Sequence, residues 1–252
     1  MSKADMLRLC VALWAGAAAM PAAAVECSTR DHEGEAFTIC RVDVADADLR
    51  LFLRDDSTGK PLASFDNIDR MLGADDARLA FGMNAGMYHT DRSPVGLYVE
   101  EGETLAPVVT SAGPGNFGLL PNGILCIRDG RADVIETLRF TDDPPACRFA
   151  TQSGPMLVID GALHPRFLRD SDSRYRRNAV GSSADGQTLW FAISQAPVSF
   201  HQFATLFRDV LKTPQALYLD GNVSRLYAPA IGRHDGGFPM GPVVGVVRHG
   251  AN

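Results

Sequence analysis

The chain has 252 residues, 46% of them hydrophobic and 21% charged, with a formal net charge of −6. That much apolar sequence can fill a sizeable core, while an acidic chain without a basic run falls outside the classes that hold nucleic acid polymers or anionic membranes by clustered Lys and Arg. No linker, repeat or low-complexity tract divides it, so one domain is expected.

The first residues read as an export signal. Lys3 and Arg8 supply positive charge, Leu9 to Met20 are apolar or small, and Ala22-Ala23-Ala24 offers a cleavage site. The apolar stretch is shorter and richer in alanine than the roughly 20 residues of a membrane span, and nothing later comes closer. Residues 1–24 are therefore read as a signal peptide and 25–252 as a mature chain without a transmembrane segment, periplasmic or secreted. Removal takes Lys3, Arg8 and Asp5, leaving 22 basic and 29 acidic residues, a net of −7. Cys10 leaves as well. The four remaining cysteines suit disulfides in an exported chain, and of the three pairings they permit, the two local ones, Cys27 with Cys40 and Cys126 with Cys147, close short loops. A zinc site is disfavoured, since no C-x-x-C spacing or accompanying histidine pair occurs.

In chain order, the first strand read is Leu49–Leu53. A short helix around Ile68–Leu72 follows, extending to Asp75–Arg78. Gly96–Glu103, Gly123–Gly130 and Met156–Gly161 each run as a strand into an acidic residue plus Gly, the dipeptide that supplies positive φ to hairpin turns. Ala184-Asp185-Gly186 makes a fourth turn and leads into the apolar run Thr188–Ser194, a buried central strand. The clearest helix spans about 199–212. Ser199 is its N-cap, Gln202 completes a capping box, Phe200, Phe203, Phe207, Val210 and Leu211 form the apolar stripe, and Pro214 ends it. Ala216–Gly221 returns to the sheet with Asp220 at the strand end, and Val243–Val247 packs the C-terminal region into the sheet. The fold class is α+β, a sheet-rich single domain of mixed or antiparallel strands with the 199–212 helix packed on the sheet.

The common hydrolase signatures are missing: no G-x-S-x-G elbow, no H-E-x-x-H, no phosphate loop ending in Lys-Ser or Lys-Thr, and no helix-loop-helix calcium loop. What remains are four polar, glycine-bearing clusters at strand ends: Asn84-Ala85-Gly86-Met87-Tyr88, Gln152-Ser153-Gly154-Pro155, Arg176-Arg177-Asn178-Ala179-Val180-Gly181 and Leu219-Asp220-Gly221-Asn222-Val223-Ser224. In order and spacing over most of the mature chain they resemble the phosphodiester glycosidase family. The family's Asn-Gly-Gly-Phe-Phe is similar to residues 84–88, its Ser-Gly-Gly-Pro to Ser153-Gly154-Pro155, its Arg-Thr-Ala-Ile-Gly followed by Asp-Gly to 177–181 and Asp185-Gly186, and its Leu-Asp-Gly-Gly-Gly-Ser-Ser to 219–225. Ala85, Asn222 and Val223 replace family glycines, which implies a different substrate shape.

The resemblance implies an exported hydrolase that cleaves a sugar-1-phosphodiester into free sugar and phosphate monoester. Loss of phosphate from an anomeric carbon builds an oxocarbenium-like cation, which a carboxylate can stabilise or trap. Asp220 is the first candidate and Asp185 the second, each weighed against ordinary Asp-Gly turn chemistry. Arg177 suits the phosphate because a guanidinium presents paired donors and keeps its charge, with Arg174 and Arg176 as alternatives. Asn84, Gly86, Tyr88, Gln152, Ser153, Gly154, Asn178, Gly221, Asn222 and Ser224 complete the expected substrate site, and the lone His89, His164 and His201 stay outside it. No cofactor is required by the sequence. Asp220 and Asn222 leave a divalent cation open, but two oxygen ligands fall short of a site. The expected partner is a sugar-1-phosphodiester or phosphorylated glycan. A competing reading is a non-catalytic phosphoglycan-binding module that assists envelope polysaccharide assembly.

Overall fold

A computed structural model describes residues 24–221 and 223–250. The signal segment, apart from Ala24, lies outside the described residues, as does Asn222. Among the described residues the strands Val25–His32 (β1) and Glu35–Asp43 (β2) come first, then Asp48–Phe52 (β3), helix Phe65–Leu72 (α1), Ala77–Asn84 (β4), Tyr98–Glu100 (β5), Glu103–Ala106 (β6), Gly123–Arg128 (β7) and Arg131–Glu136 (β8). Helix Thr137–Asp142 (α2) follows, then Phe149–Ser153 (β9), Met156–Ile159 (β10), Ala162–Leu163 (β11), Asn178–Ser182 (β12) and Thr188–Ser194 (β13). Helix Phe200–Thr205 (α3) precedes Gln215–Asp220 (β14), Leu226–Ala228 (β15), Arg233–His234 (β16) and Val243–His249 (β17).

The strands form three antiparallel sheets, ordered β1-β2-β13-β12-β14-β10-β11, β16-β15-β4-β17-β3 and β6-β5-β9-β7-β8. The expected hairpins are present. Glu101 and Gly102 turn β5 into β6 at φ 47° and 81°, and Asp160 and Gly161 turn β10 into β11 at 50° and 78°. The first hairpin, β1–β2, was not anticipated; its register sets Cys27 opposite Cys40, and the two are bonded. The second disulfide joins Cys126 of β7 to Cys147.

One apolar cluster draws on all three sheets, with Phe191, Leu217 and Leu219 from the first, Phe81, Met83 and Val244 from the second, and Leu125 and Ile127 from the third. The outer face of the first sheet is covered by α3. Ser199 caps it by accepting from the Gln202 N–H at 3.1 Å, but the Gln202 side chain donates to the Glu33 carbonyl instead of turning back, so only half of the capping box forms. Phe203 and Phe207 are fully buried beneath it, worth about 2 kcal/mol each. A wider π-helical turn, Leu206–Val210, continues α3 and leaves Val210 partly exposed. Helix α1 starts earlier than the spacing suggested because Ser64 accepts from the Asn67 N–H. The second helical stretch expected at Asp75–Arg78 is absent: a 3-10 turn ends at Asp75, Asp76 takes φ 52°, and Arg78 already belongs to β4.

Candidate active site

The three sheets meet at strand ends. Asn84 closes β4, Ser153 closes β9, Asp220 closes β14 and Asn178 opens β12. The Asn178 amide donates to the Asn84 side-chain oxygen at 2.7 Å and to the Asn84 carbonyl at 3.1 Å, while its own oxygen accepts the Asp220 backbone N–H at 3.0 Å. The Asn84 oxygen also accepts the Arg225 backbone N–H at 2.8 Å. Between Asn178 and Ala179 the register with β14 slips, leaving Leu219 opposite no residue of β12, and its carbonyl takes the Ser153 hydroxyl at 2.7 Å. Each side chain in this clasp is buried, so its bonds form in a low dielectric and fix the end of β14.

Asp220 and Gly221 form the floor of a cavity of about 610 Å³. The loop after β4 supplies Met87, Tyr88, His89 and Arg92 to its wall, and the loop before β7 supplies Asn116 and Phe117. Gly221 has to be glycine because the Tyr218 hydroxyl occupies the place of a Cβ. Ser224 fastens the following turn by donating to the Asp220 and Arg176 carbonyls. Burial pushes the Tyr88 phenol above its ordinary pKa; the Asp220 charge adds to this, and Arg92 and Arg225 oppose it. The cavity lining thus includes one acidic side chain, Asp220, and one guanidinium, Arg92. Among the described residues no group of three or more His, Cys, Asp or Glu side chains is placed to hold a metal ion.

Of the residues expected from sequence, Tyr88, Asp220 and Gly221 line this cavity. Asn84, Ser153 and Asn178 stand behind the floor as its clasp. Gly86 and Gly154 are buried at close backbone crossings, Gly86 against the Gln152 carbonyl and Gly154 near the Phe117 carbonyl. Gln152 does not reach the cavity. Its oxygen accepts the Leu97 and Val109 N–H groups and its amide donates to Val109 and Thr137, so it anchors the 97–109 segment. Asp185 is also removed from the site: it lies in the exposed β12–β13 turn, beyond Ser182, at the other end of the strand that Asn178 opens, and accepts from Ser183 and Gln187.

Arg177 is near Asp220 in the chain pairing but faces the other way. It is 0% exposed, and its guanidinium lies 3.6 Å from the Phe200 ring centre, donating to the Val198 and Ser173 carbonyls. Among the described residues its Nη1 and the neighbouring Tyr218 hydroxyl make no hydrogen bond of normal geometry, although the two groups interact electrostatically. Burial lowers the Arg177 pKa and raises that of Tyr218. Sequence reading left His89 outside the site, whereas it lines the cavity, and it passed over Arg92 and Asn116. Arg92 adopts φ 72°, a conformation uncommon for a residue with a side chain, but nothing in His89-Thr90-Asp91-Arg92 announces it.

The phosphodiester glycosidase family model matches residues 77–246, more than half of the chain and all four clusters. The chain belongs to this family. Within it, the chain is similar to the uncharacterized protein YigE of Escherichia coli K12, at 33% identity over 150 residues, 60% of this chain and 58% of YigE. The match thus spans less than two-thirds of that relative's length. The fold is similar to that of the zebrafish N-acetylglucosamine-1-phosphodiester alpha-N-acetylglucosaminidase catalytic domain, with a TM-score of 0.58 at 13% identity, covering 90% of this chain and 82% of that one. A hypothetical protein from Synechocystis gives the same TM-score and identity over 89% of this chain and 62% of its own. Among the described residues no helix is long and apolar enough to cross a membrane.

Proposed function

We propose that this family member is an exported hydrolase that cleaves the bond between a sugar's anomeric carbon and a phosphodiester. Water adds across that bond, the sugar leaves with a free anomeric hydroxyl, and the phosphate leaves as a monoester. The observation that carries the reading is the Asp220 carboxylate at the floor of an open cavity, its backbone fixed by Asn178. A carboxylate there can stabilise or trap the cation that develops at the anomeric carbon. The phosphate leaving group carries its own charge well, so a strong general acid is less necessary than for an ordinary glycoside. Two disulfides in the described chain support a compartment outside the reducing cytoplasm.

The test is incubation of the protein with a panel of sugar-1-phosphodiesters and detection of released sugar. Asp220→Asn should lower release by about 100-fold or more, the scale expected for loss of a group aimed at transition-state charge. Release undiminished in that variant would refute the role of Asp220. Binding of the panel without release would favour a phosphoglycan-binding module.

A further inference from the structure

The floor of the cavity stands on a buried tyrosine. Tyr218 is 0% exposed, and its hydroxyl occupies the place of a Cβ on Gly221, so it touches the backbone of a residue that lines the cavity. The ring is fixed from two sides. Phe200 meets it edge-on with ring centres 4.8 Å apart, and the Arg177 guanidinium lies 5.4 Å from its centre. Arg177 is itself held by the Val198 and Ser173 carbonyls and by the face of Phe200.

Folding does not account for a hydroxyl in that position. It makes no hydrogen bond of normal geometry with a described residue, and a buried phenol in that condition costs free energy that a phenylalanine of the same shape would not. What it has is a cation on one side and the floor on the other: Arg177 and Asp220 act on it with opposite sign. A guanidinium carries only N–H donors, so toward Arg177 the phenol oxygen can only accept, and its O–H is left to point at the floor.

We propose that Tyr218 is a positioning residue of this site: backed by Arg177, its hydroxyl supports the Asp220-Gly221 floor from beneath and keeps the Asp220 carboxylate aimed into the cavity. Arg177, which reaches no substrate, then serves the site through Tyr218. The part played in turnover rests on the hydrolase reading, whereas support of the floor does not, and the two are measured separately.

The test is Tyr218→Phe in the full chain with both disulfides formed. Tm should be no lower than in the native protein. With isotope-labelled glycine and aspartate, the nuclear magnetic resonance signals of the Gly221 amide and the Asp220 carboxyl carbon, assigned from Gly221→Ala and Asp220→Asn, should both move. On the sugar-1-phosphodiester panel, kcat should fall about tenfold while KM changes by less than about twofold, the pattern of a misaimed group that acts in the transition state. Gly221→Ala should lower Tm in the native background and lower it less in Tyr218→Phe, because loss of the hydroxyl opens the space the new methyl needs. A Tyr218→Phe protein that melts well below the native one makes the hydroxyl a folding element and overturns the proposal, as do signals that stay in place or additive effects of the two substitutions on Tm. Moved signals with no sugar released by the native protein would sink the hydrolase reading and leave the support of the floor standing. Sugar release by the native protein with kcat unchanged in Tyr218→Phe would keep the hydrolase reading and overturn the positioning role.

Discussion

The clasp makes a quantitative demand at Asn178. Truncation to Ala removes three buried hydrogen bonds, two to Asn84 and one from the Asp220 N–H, each worth about 1 kcal/mol. The Asn84 oxygen keeps the Arg225 N–H, but the Asp220 N–H becomes a buried donor without an acceptor, which adds about 1 kcal/mol more. Asn178→Ala should therefore lose about 3 to 4 kcal/mol, read as a lower urea midpoint at unchanged slope. Asn178→Asp should do no better, because it turns an oxygen toward the two Asn84 oxygens in a site with 0% exposure. Because the lost bond holds the Asp220 backbone, kcat for sugar release should fall in the folded fraction while KM moves little. A double-mutant cycle with Asn84→Ala should show coupling of about 1 kcal/mol or more. A loss below 1 kcal/mol, or additive single effects, would mean that the clasp does not hold the floor.

Glu100 sits half-buried in a second cavity, and burial, reinforced by repulsion from Asp56 and Glu101, raises its pKa from 4.5 to about 7. The folded chain therefore keeps a proton that the unfolded chain gives up, and stability falls as pH rises through this window. With its partial exposure to solvent discounted, Glu100→Gln should stabilise the protein by about 1 kcal/mol at pH 8 and by almost nothing at pH 4, measured by denaturation at both. Replacing Cys126 and Cys147 by Ala opens a 21-residue separation and should cost about 3 kcal/mol in a denaturant titration. Asp185→Asn should leave sugar release unchanged, since its carboxylate serves only the turn between β12 and β13; a large loss would return it to the site.

The local signals in the sequence were legible where the chain answers to its own neighbours. Asp160-Gly161 and Glu101-Gly102 turn because positive φ is needed there, Ser199 caps because the N–H of Gln202 needs an acceptor, and Cys27 meets Cys40 because a two-residue turn sets their register. The four clusters do meet at strand ends, but of them only Tyr88, with its neighbour Met87, and Asp220-Gly221 line the cavity. What the sequence could not show was which way each side chain faces. Arg177 and Asn178 are adjacent, and strand alternation sends one toward Phe200 and the other toward Asn84. Gln152 looked suited to a ligand because it is polar beside a glycine, yet its bonds all go to its own fold.

The floor and the wall of the cavity are built by different physics, and this separates their functions. The floor hangs from buried amide and hydroxyl groups at the ends of β4, β9, β12 and β14, so any change there is felt in folding and in chemistry together. The wall comes from the loops that carry Tyr88, Arg92, Asn116 and Phe117, of which the exposed positions tolerate change at little cost in stability while Phe117 is buried. Arg225 is tied to the floor by its backbone N–H. On the proposed hydrolase reading, the fold would set the chemistry at the anomeric carbon and the loops would select the group beyond the phosphate. Substitutions at the exposed Asn116 should accordingly redistribute KM among substrates while Tm and the best kcat stay in place, whereas truncation of Phe117, buried at 8% exposure, should lower Tm.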